Sequence, residues 1–179
     1  DKGIWEYRNE DKHFTFSKVL CWVAIDRAIK VSELIQNGIS AKKWEPLRKE
    51  IFEDIMKNAW NEKIEAFTQS YNSEYLDASV LLMEPYGFVN SKNEKYIKTV
   101  KAIEKDLLKD GLMYRYKNVD DFGMPSSSFT VCSFWLIDSL FKIGEEKKAT
   151  KMFDNLLKFS NHLNLFSEDI DFKSKRMLG

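Results

Sequence analysis

The sequence predicts an all-α fold built from αα-hairpins that stack into a toroid or a solenoid. Six stretches of the 179-residue chain carry apolar residues at helical spacing. These stretches alternate between ones that are apolar nearly all round and ones with a charged face, as buried inner helices alternate with half-exposed outer helices. The chain has only 7 glycines and 3 prolines, which argues against a turn-dense all-β protein.

The first hairpin is predicted near the start of the chain. Its inner helix spans about residues 14–36, where apolar side chains occur on every side, and Asn37-Gly38 ends it. Ser40 is predicted as the N-cap of an outer helix over about residues 41–61, because a serine hydroxyl can accept from the unpaired backbone N–H groups of a first turn.

The next two hairpins repeat this alternation. Apolar inner helices are predicted over residues 73–83 and 128–143, the second of which ends at Gly144. Amphipathic outer helices are predicted over residues 93–109 and 145–159. The three inner helices therefore begin about 55 to 60 residues apart, which is longer than the repeat of most helical solenoids.

The long connections of the chain are predicted to lie together at one end of the helices. In antiparallel hairpins every second connection lies at the same end, so the segments that enter inner helices become neighbours. These segments are residues 1–13, 62–72, 110–127 and the tail from residue 161. They hold most of the carboxylates, arginines and aromatic residues that are unusual in loops, and functional residues concentrate on such loops.

Two glutamates on this loop face are candidates for a general acid and a general base. Glu6 lies between Trp5 and Tyr7, an apolar wall that would raise its pKa and keep it protonated. Glu168 lies in a polar, acidic stretch that suits an ionised base, and this contrast is what glycosidic hydrolysis requires. Because the chain has 28 carboxylates, the spacing alone leaves open that both are simply solvated loop residues.

Composition excludes several classes of partner. The 28 basic and 28 acidic residues cancel, which is not the charge of a nucleic-acid binder, and no apolar run approaches the 18 residues of a membrane span. Cys21 and Cys132 are predicted to be buried free thiols. With only two histidines and no spaced Cys/His cluster, we expect no metal and no cofactor.

Several blocks of the sequence closely resemble glycoside hydrolase family 15, which contains glucoamylases, glucodextranases and a prokaryotic trehalase branch. They occur in the family's order and cover nearly the whole chain. The blocks are Gly-Ile-Trp-Glu-Tyr-Arg (3–8), His-Phe-Thr-Phe-Ser-Lys-Val (13–19), Trp-Val-Ala-Ile-Asp-Arg-Ala (22–28), Ala-Phe-Thr-Gln-Ser-Tyr (66–71), Leu-Asp-Ala-Ser (76–79), Gly-Leu-Met-Tyr-Arg-Tyr (111–116), Cys-Ser-Phe-Trp-Leu-Ile-Asp (132–138) and Leu-Phe-Ser-Glu-Asp-Ile-Asp (165–171).

The resemblance implies a fold and a mechanism. The family fold is an (α/α)6 toroid, of which residues 1–179 would form about half, six helices running from the general-acid loop to the general-base loop. Catalysis in the family is inverting, and its acid and base match Glu6 and Glu168. The two carboxyl groups of an inverting pair are expected to stand about 6.5–9.5 Å apart, which leaves room for the attacking water.

The resemblance also implies substrate-binding residues. Trp5 and Arg8 would line the subsite for the terminal glucose, and Tyr114 and Arg115 match the sugar-contacting segment. One departure is at Ser126, where many members carry an acidic residue in a Glu-Gly-Ala-Phe-like stretch. Either a sugar contact is lost or altered there, or the serines of residues 126–128 form the N-cap of the fifth helix.

The function that follows is release of glucose from the non-reducing end of α-glucans and oligosaccharides. The alternatives are hydrolysis of trehalose by the same residues and, from another class, a non-catalytic helical-repeat binding module or inactive fragment. The chain begins without Met, so we expect a cut from a longer polypeptide whose true N-terminus is missing. Its location is therefore left unassigned, with the cytoplasm favoured. The isolated chain is expected to be inactive and to form homo-oligomers through its exposed half-barrel surface.

Overall fold

A computed structural model describes residues 2–5, 11–35 and 38–179. This part of the chain contains five α-helices and one 3₁₀ helix, and it confirms the predicted helix-rich fold. The helices are α1 (Thr15–Leu34), α2 (Gly38–Asn58), the 3₁₀ helix (Ala78–Met83), α3 (Glu94–Leu107), α4 (Thr130–Lys142) and α5 (Glu146–Leu157). The strands, each of two or three residues, are β1 (Trp60–Asn61), β2 (Ala66–Phe67), β3 (Leu108–Lys109), β4 (Leu112–Met113), β5 (Ser127–Phe129), β6 (Asp169–Asp171) and β7 (Met177–Leu178).

The helices pack as three successive pairs with an inner and an outer member. Helix α1 packs against α2, and α4 packs against α5. The 3₁₀ helix contacts both α1 and α4 as well as α3, so the three apolar elements form one inner layer. Beside a small cluster of Leu112, Leu156, Ile170 and Phe172, apolar side chains from both layers form one main core. Its fully buried members come from every helix and include Val19, Ile55, Leu81, Ile103, Leu136 and Ala149.

The third predicted helix is shorter than its apolar pattern indicates. Helical structure begins at Ala78 and not at residue 73, and it is 3₁₀. The preceding residues use their backbone groups elsewhere: the Tyr75 carbonyl accepts from Gln69 N at 2.8 Å, and Asp77 forms a bridge with Tyr116. Because these groups are engaged by other segments, they cannot continue a helix.

Two predicted helix starts are wrong. Helix α2 is already helical at Gly38, so Ser40 lies within its first turn and is not its N-cap. Helix α4 begins only at Thr130, because Ser127 and Ser128 belong to strand β5. The hydroxyls of these two serines donate to the opposite strand β6 instead of capping the helix. The N-cap prediction for the serines is therefore wrong at these two positions.

One side of the inner helix α1 is exposed, in contrast to the prediction of an all-round buried helix. Cys132 on α4 is buried as predicted, but Cys21 on α1 is exposed, which corrects its assignment as a buried thiol. Leu20, Val31 and Leu34 lie on the same side and are 40%, 54% and 82% exposed. Within the described residues no helix is long and apolar enough to cross a membrane.

A buried carboxylate joins α1 to α2. Asp26 is almost fully buried in α1, and its oxygens are paired with Arg27, with Lys30 at 2.8 Å and with Arg48 of α2 at 3.1 Å. Although burial acts to raise the pKa of Asp26, the neighbouring cations dominate and lower it. The folded chain therefore favours the ionised carboxylate more than the unfolded chain does.

We expect Asp26→Asn to lower the free energy of unfolding at pH 7 by roughly 1–3 kcal/mol, since it removes charge-assisted bonds from partly exposed cations. The pKa of Asp26 is lowered in the folded chain, so its contribution is present above the unfolded-state pKa of about 3.9 and is lost as the pH falls through the folded-state value. Urea denaturation should show this difference shrinking below about pH 4. Glu53→Gln, at the exposed Glu53–Lys49 pair, is the control and should change little. A difference that stayed constant down to pH 2.5 would contradict the assignment.

Candidate functional site

The buried carboxylate of Asp77 joins two of the long connections. Asp77 precedes the 3₁₀ helix and is 2% exposed. Its oxygens accept from Trp5 Nε1 at 3.0 and 2.8 Å, from Gln69 Nε2 at 2.9 Å and from Ser79 N at 2.8 Å. Burial raises the pKa of Asp77, and these hydrogen bonds act in the opposite direction. Residues near the N-terminus are thus held against the segment around Gln69.

The ring of Trp5 lies in a cluster of aromatic side chains. It packs edge-on against Phe129 with ring centroids 5.3 Å apart, and it lies 6.0 Å from Trp135 and 6.3 Å from Tyr116. Such aromatic pairs add specific contact energy to the burial of their surface. The indole is therefore held through its N–H by Asp77 and through its ring by three other segments.

The segment around Arg115 is organised by a second carboxylate, Asp120. Arg115 Nη2 donates to Asp120 at 3.2 Å, the Tyr116 hydroxyl forms a short hydrogen bond to the same oxygen, and Phe122 N donates to the other oxygen at 2.7 Å. Although burial acts to raise the pKa of Asp120, the Tyr116 hydroxyl, Phe122 N–H and Arg115 lower it. Burial and the same carboxylate raise the pKa of Tyr116, so its hydroxyl stays a donor.

A cleft of about 170 Å³ is lined by Arg115, Asp120, residues 122–127, Phe129 and Asp169. Arg115 Nε and Asp169 Oδ1 are both buried and lack a hydrogen-bond partner among the described residues. One of these atoms is a donor and the other is an acceptor, and both belong to residues that line the cleft. Unsatisfied buried groups of both kinds suit a ligand that carries hydroxyl groups, since a hydroxyl both donates and accepts.

Glu168 is placed by the pairing of β5 with β6. In this antiparallel pair Phe129 is opposite Asp169, and Thr130 N donates to the Glu168 carbonyl at 2.8 Å. The Glu168 side chain is exposed and lines an open groove of about 400 Å³ together with Phe129 and Phe134. The segment that carries Glu168 therefore lies beside Phe129, whose ring contacts Trp5 on its other side.

Apart from Glu168, the predicted site residues fall into three groups. Glu6 and Arg8 lie outside the described residues, so the separation of Glu6 from Glu168 and the contact of Arg8 with glucose stay predictions. Trp5 and Arg115 lie at the aromatic cluster and the cleft described above. The half-buried ring of Tyr114 packs on the ring of Phe172 with centroids 4.2 Å apart. Lys117 Nζ lies over the Tyr114 ring, 5.3 Å from its centroid. Its contact with sugar stays a prediction.

Sequence reasoning missed the residues that join the loops. Asp77 and Phe129 make the connecting contacts, yet neither was a candidate. The available signal for Asp77 was a carboxylate between Leu76 and Ala78 at the start of an apolar stretch, a setting in which an acidic residue needs hydrogen-bond partners.

Ser126 is exposed and lines the cleft, so a sugar contact at that position remains open. Among the described residues, no group of three or more His, Cys, Asp or Glu is placed to hold a metal ion.

The chain matches one protein family along nearly its whole length. The family described as "Glycosyl hydrolases family 15" matches residues 1–175. The chain belongs to glycosyl hydrolase family 15. The expected family is thereby confirmed, and the helix-rich structure is compatible with the expected partial (α/α) barrel.

Family relatives include several trehalases. The trehalase of Mycobacterium tuberculosis is 40% identical over 182 aligned positions, which cover 100% of this chain and 27% of the relative. The trehalase of Thermoplasma volcanium is 34% identical over 180 positions, which cover 100% of this chain and 29% of the relative. The chain thus spans less than a third of the length of these relatives.

Solved glycosidase structures share the fold. A wild-type glycosidase superposes with a TM-score of 0.79 at 16% identity, over 93% of this chain and 44% of the other. A variant of a glycosidase in complex with glucose gives the same TM-score at 15% identity. At this level of identity the likeness concerns the arrangement of helices, and it covers less than half of those chains.

We expect Tyr116→Phe to lower the free energy of unfolding by about 1–2 kcal/mol, since the fully buried hydroxyl donates to the ionised Asp120. Chemical denaturation at pH 7 measures this change. Tyr75→Phe removes the same hydroxyl from a ring that is 55% exposed and should leave stability unchanged. Equal effects of the two substitutions would show that the bond to Asp120 contributes nothing.

Proposed function

We propose that this chain carries the general acid and the general base of a glycoside hydrolase and forms part of its catalytic domain. The observation that supports this most is the meeting of two distant segments at Phe129. Trp5, the neighbour of Glu6, packs on the Phe129 ring, while the segment of Glu168 pairs with the Phe129 backbone. A bond held between the two segments would have a glutamate available from each side.

In this proposal Glu6 protonates the glycosidic oxygen and Glu168 activates a water on the opposite face of the sugar. The bond from the anomeric carbon to that oxygen breaks as the water oxygen attacks, and the configuration inverts. The exposed position of Glu168 in an open groove is compatible with a base that must reach water. Trp5 and Arg8 would hold the terminal glucose, and Arg115 would bind hydroxyls at the cleft.

Trehalose is the substrate that we favour over longer α-glucans. Six relatives at 30–40% identity are named trehalases, so the predicted alternative is better supported than the glucoamylase-like main prediction. Trehalose consists of two glucose units joined through their anomeric carbons, and both units present hydroxyl groups. The buried, unpaired atoms of Arg115 and Asp169 would be satisfied by such hydroxyls.

We expect Glu6→Gln and Glu168→Gln, made in the catalytic domain that contains this chain, each to lower kcat for trehalose about 10²- to 10⁴-fold. Glutamine keeps the shape of the side chain but neither donates nor accepts the proton. Glucose release from trehalose and from maltose measures both the rate and the preference. Glu53→Gln on the exposed side of α2 is the matched control. Near-normal turnover in both site variants, or absence of hydrolysis in the wild type as expected of a binding module, would refute the proposal.

The isolated 179 residues should be inactive, because they span less than a third of the length of the trehalase relatives. They should also self-associate, because apolar side chains are exposed on α1 and along the α4–α5 edge. On that edge Phe141, Phe153 and Leu157 are 54%, 40% and 43% exposed. Light scattering should detect oligomers, and Phe141→Glu should shift them towards monomer. Leu47→Glu introduces the same charge on the outer helix α2 and should not. A wild-type monomer with full turnover would contradict this expectation.

A further inference from the structure

The environment of Asp77 is unusual for a carboxylate. Its hydrogen-bond partners within the described residues are an indole, a side-chain amide, and the backbone N–H and side chain of Ser79, all of them uncharged. A buried carboxylate is unfavourable unless its oxygens are fully hydrogen-bonded, so the group requires these donors to remain in place. Conversely, each donor is held where the carboxylate needs it.

The backbone at Asp77 extends this link to the sugar-contacting segment. Ala78 N donates to the Arg115 carbonyl at 2.9 Å, and Asp77 itself bridges to Tyr116. The side chain of Asp77 therefore holds Trp5, while its backbone holds the segment of Arg115. Both connections are fully buried at Asp77, where water cannot compete for the hydrogen bonds.

We propose that Asp77 is a positioning residue for the general acid, acting through the indole of Trp5. The inference rests on the proposed function, since it takes Glu6 as the acid. Glu6 follows Trp5 directly in the chain, so an indole fixed by two carboxylate oxygens restricts where the acid's backbone begins relative to Arg115. A displacement of about 1 Å in a catalytic group can cost a hundredfold in rate. Asp77 itself touches neither substrate nor the reacting atoms.

The test compares two substrates in the catalytic domain that contains this chain. Trehalose has a poor leaving group and needs the acid's proton, whereas α-glucosyl fluoride releases fluoride with little help from an acid. We expect Asp77→Ala to lower kcat for trehalose about a hundredfold with little change in KM. The same variant should lower kcat for α-glucosyl fluoride only about tenfold. Asp77→Asn keeps one acceptor oxygen and should recover part of the loss.

Trp5→Phe tests the same bond from the donor side and serves also if the Asp77 variants do not fold. It should reduce the ratio of kcat for trehalose to kcat for α-glucosyl fluoride. The double variant Trp5→Phe with Asp77→Asn should show no further reduction of this ratio beyond that of Trp5→Phe alone. Non-additivity of this kind identifies two residues that act as one unit. Asp54→Asn is the matched control, because the exposed Asp54 accepts from the Tyr71 hydroxyl at 2.7 Å on the outer helix.

The outcomes separate this inference from the proposed function. Wild-type hydrolysis of trehalose with a selective loss in the Asp77 and Trp5 variants supports both. Wild-type hydrolysis with equal losses on the two substrates overturns the positioning role and leaves the proposed function standing. Absence of wild-type hydrolysis of either substrate overturns the proposed function, and the positioning role with it.

Discussion

The hydrogen bonds of the buried Asp77 carboxylate are the interaction on which the loop face depends. They join Trp5 to a residue 72 positions away in the chain and place Gln69 against the same oxygens. Each oxygen accepts from two donors, and because the group is excluded from water, a donor that is lost is not replaced by solvent and the buried charge is less well stabilised. The loops are thereby held to one another and not only to the ends of their own helices.

A second connection completes the arrangement from the other end of the chain. The β5–β6 pair brings Asp169 opposite Phe129, and the Phe129 ring returns to Trp5. Short strands of two or three residues would be unstable alone, but here they close loops whose ends the helix pairs already hold near each other. Helix packing thus lowers the entropy cost of forming the strand pairs, and the strand pairs in turn fix the loops.

Helix periodicity predicted the fold well because inner and outer helices bury different fractions of their surface. Helices α3 and α5 agree with their predicted ranges within a few residues. Each has a charged face and an apolar face, and this alternation at helical spacing stops close to where the helix begins and ends. The segment of residues 73–83 failed for the opposite reason. Its apolar composition indicates burial, but an inner helix and a buried extended segment are both buried. Pairing of Tyr75 with Gln69 and of Asp77 with Tyr116 keeps the residues before Ala78 extended.

The candidate site was predictable only where one residue type carries the chemistry. Glu168 could be proposed from its acidic surround, whereas Asp77 and Phe129 matter through contacts with residues that are distant in sequence. Ser127 and Ser128 show the limit most clearly: three serines before an apolar helix suggest a cap, yet their hydroxyls bond to a strand 42 residues further along the chain.

The balance of satisfied and unsatisfied polar groups bears on which ligand chemistry the cleft beside Arg115 would accept. Asp77 and Asp120 are satisfied within the protein, so neither is available as a free charge, and Arg115 has its Nη2 committed to Asp120. Two buried atoms of residues that line the cleft, Arg115 Nε and Asp169 Oδ1, lack a partner among the described residues. A phosphate or carboxylate ligand would satisfy the guanidinium and repel the aspartate, whereas a hydroxyl can meet both. These groups therefore favour the proposed hydroxyl-bearing ligand over an anion, and the ring of Phe129, which lines the same cleft, would pack against the apolar face of a sugar ring.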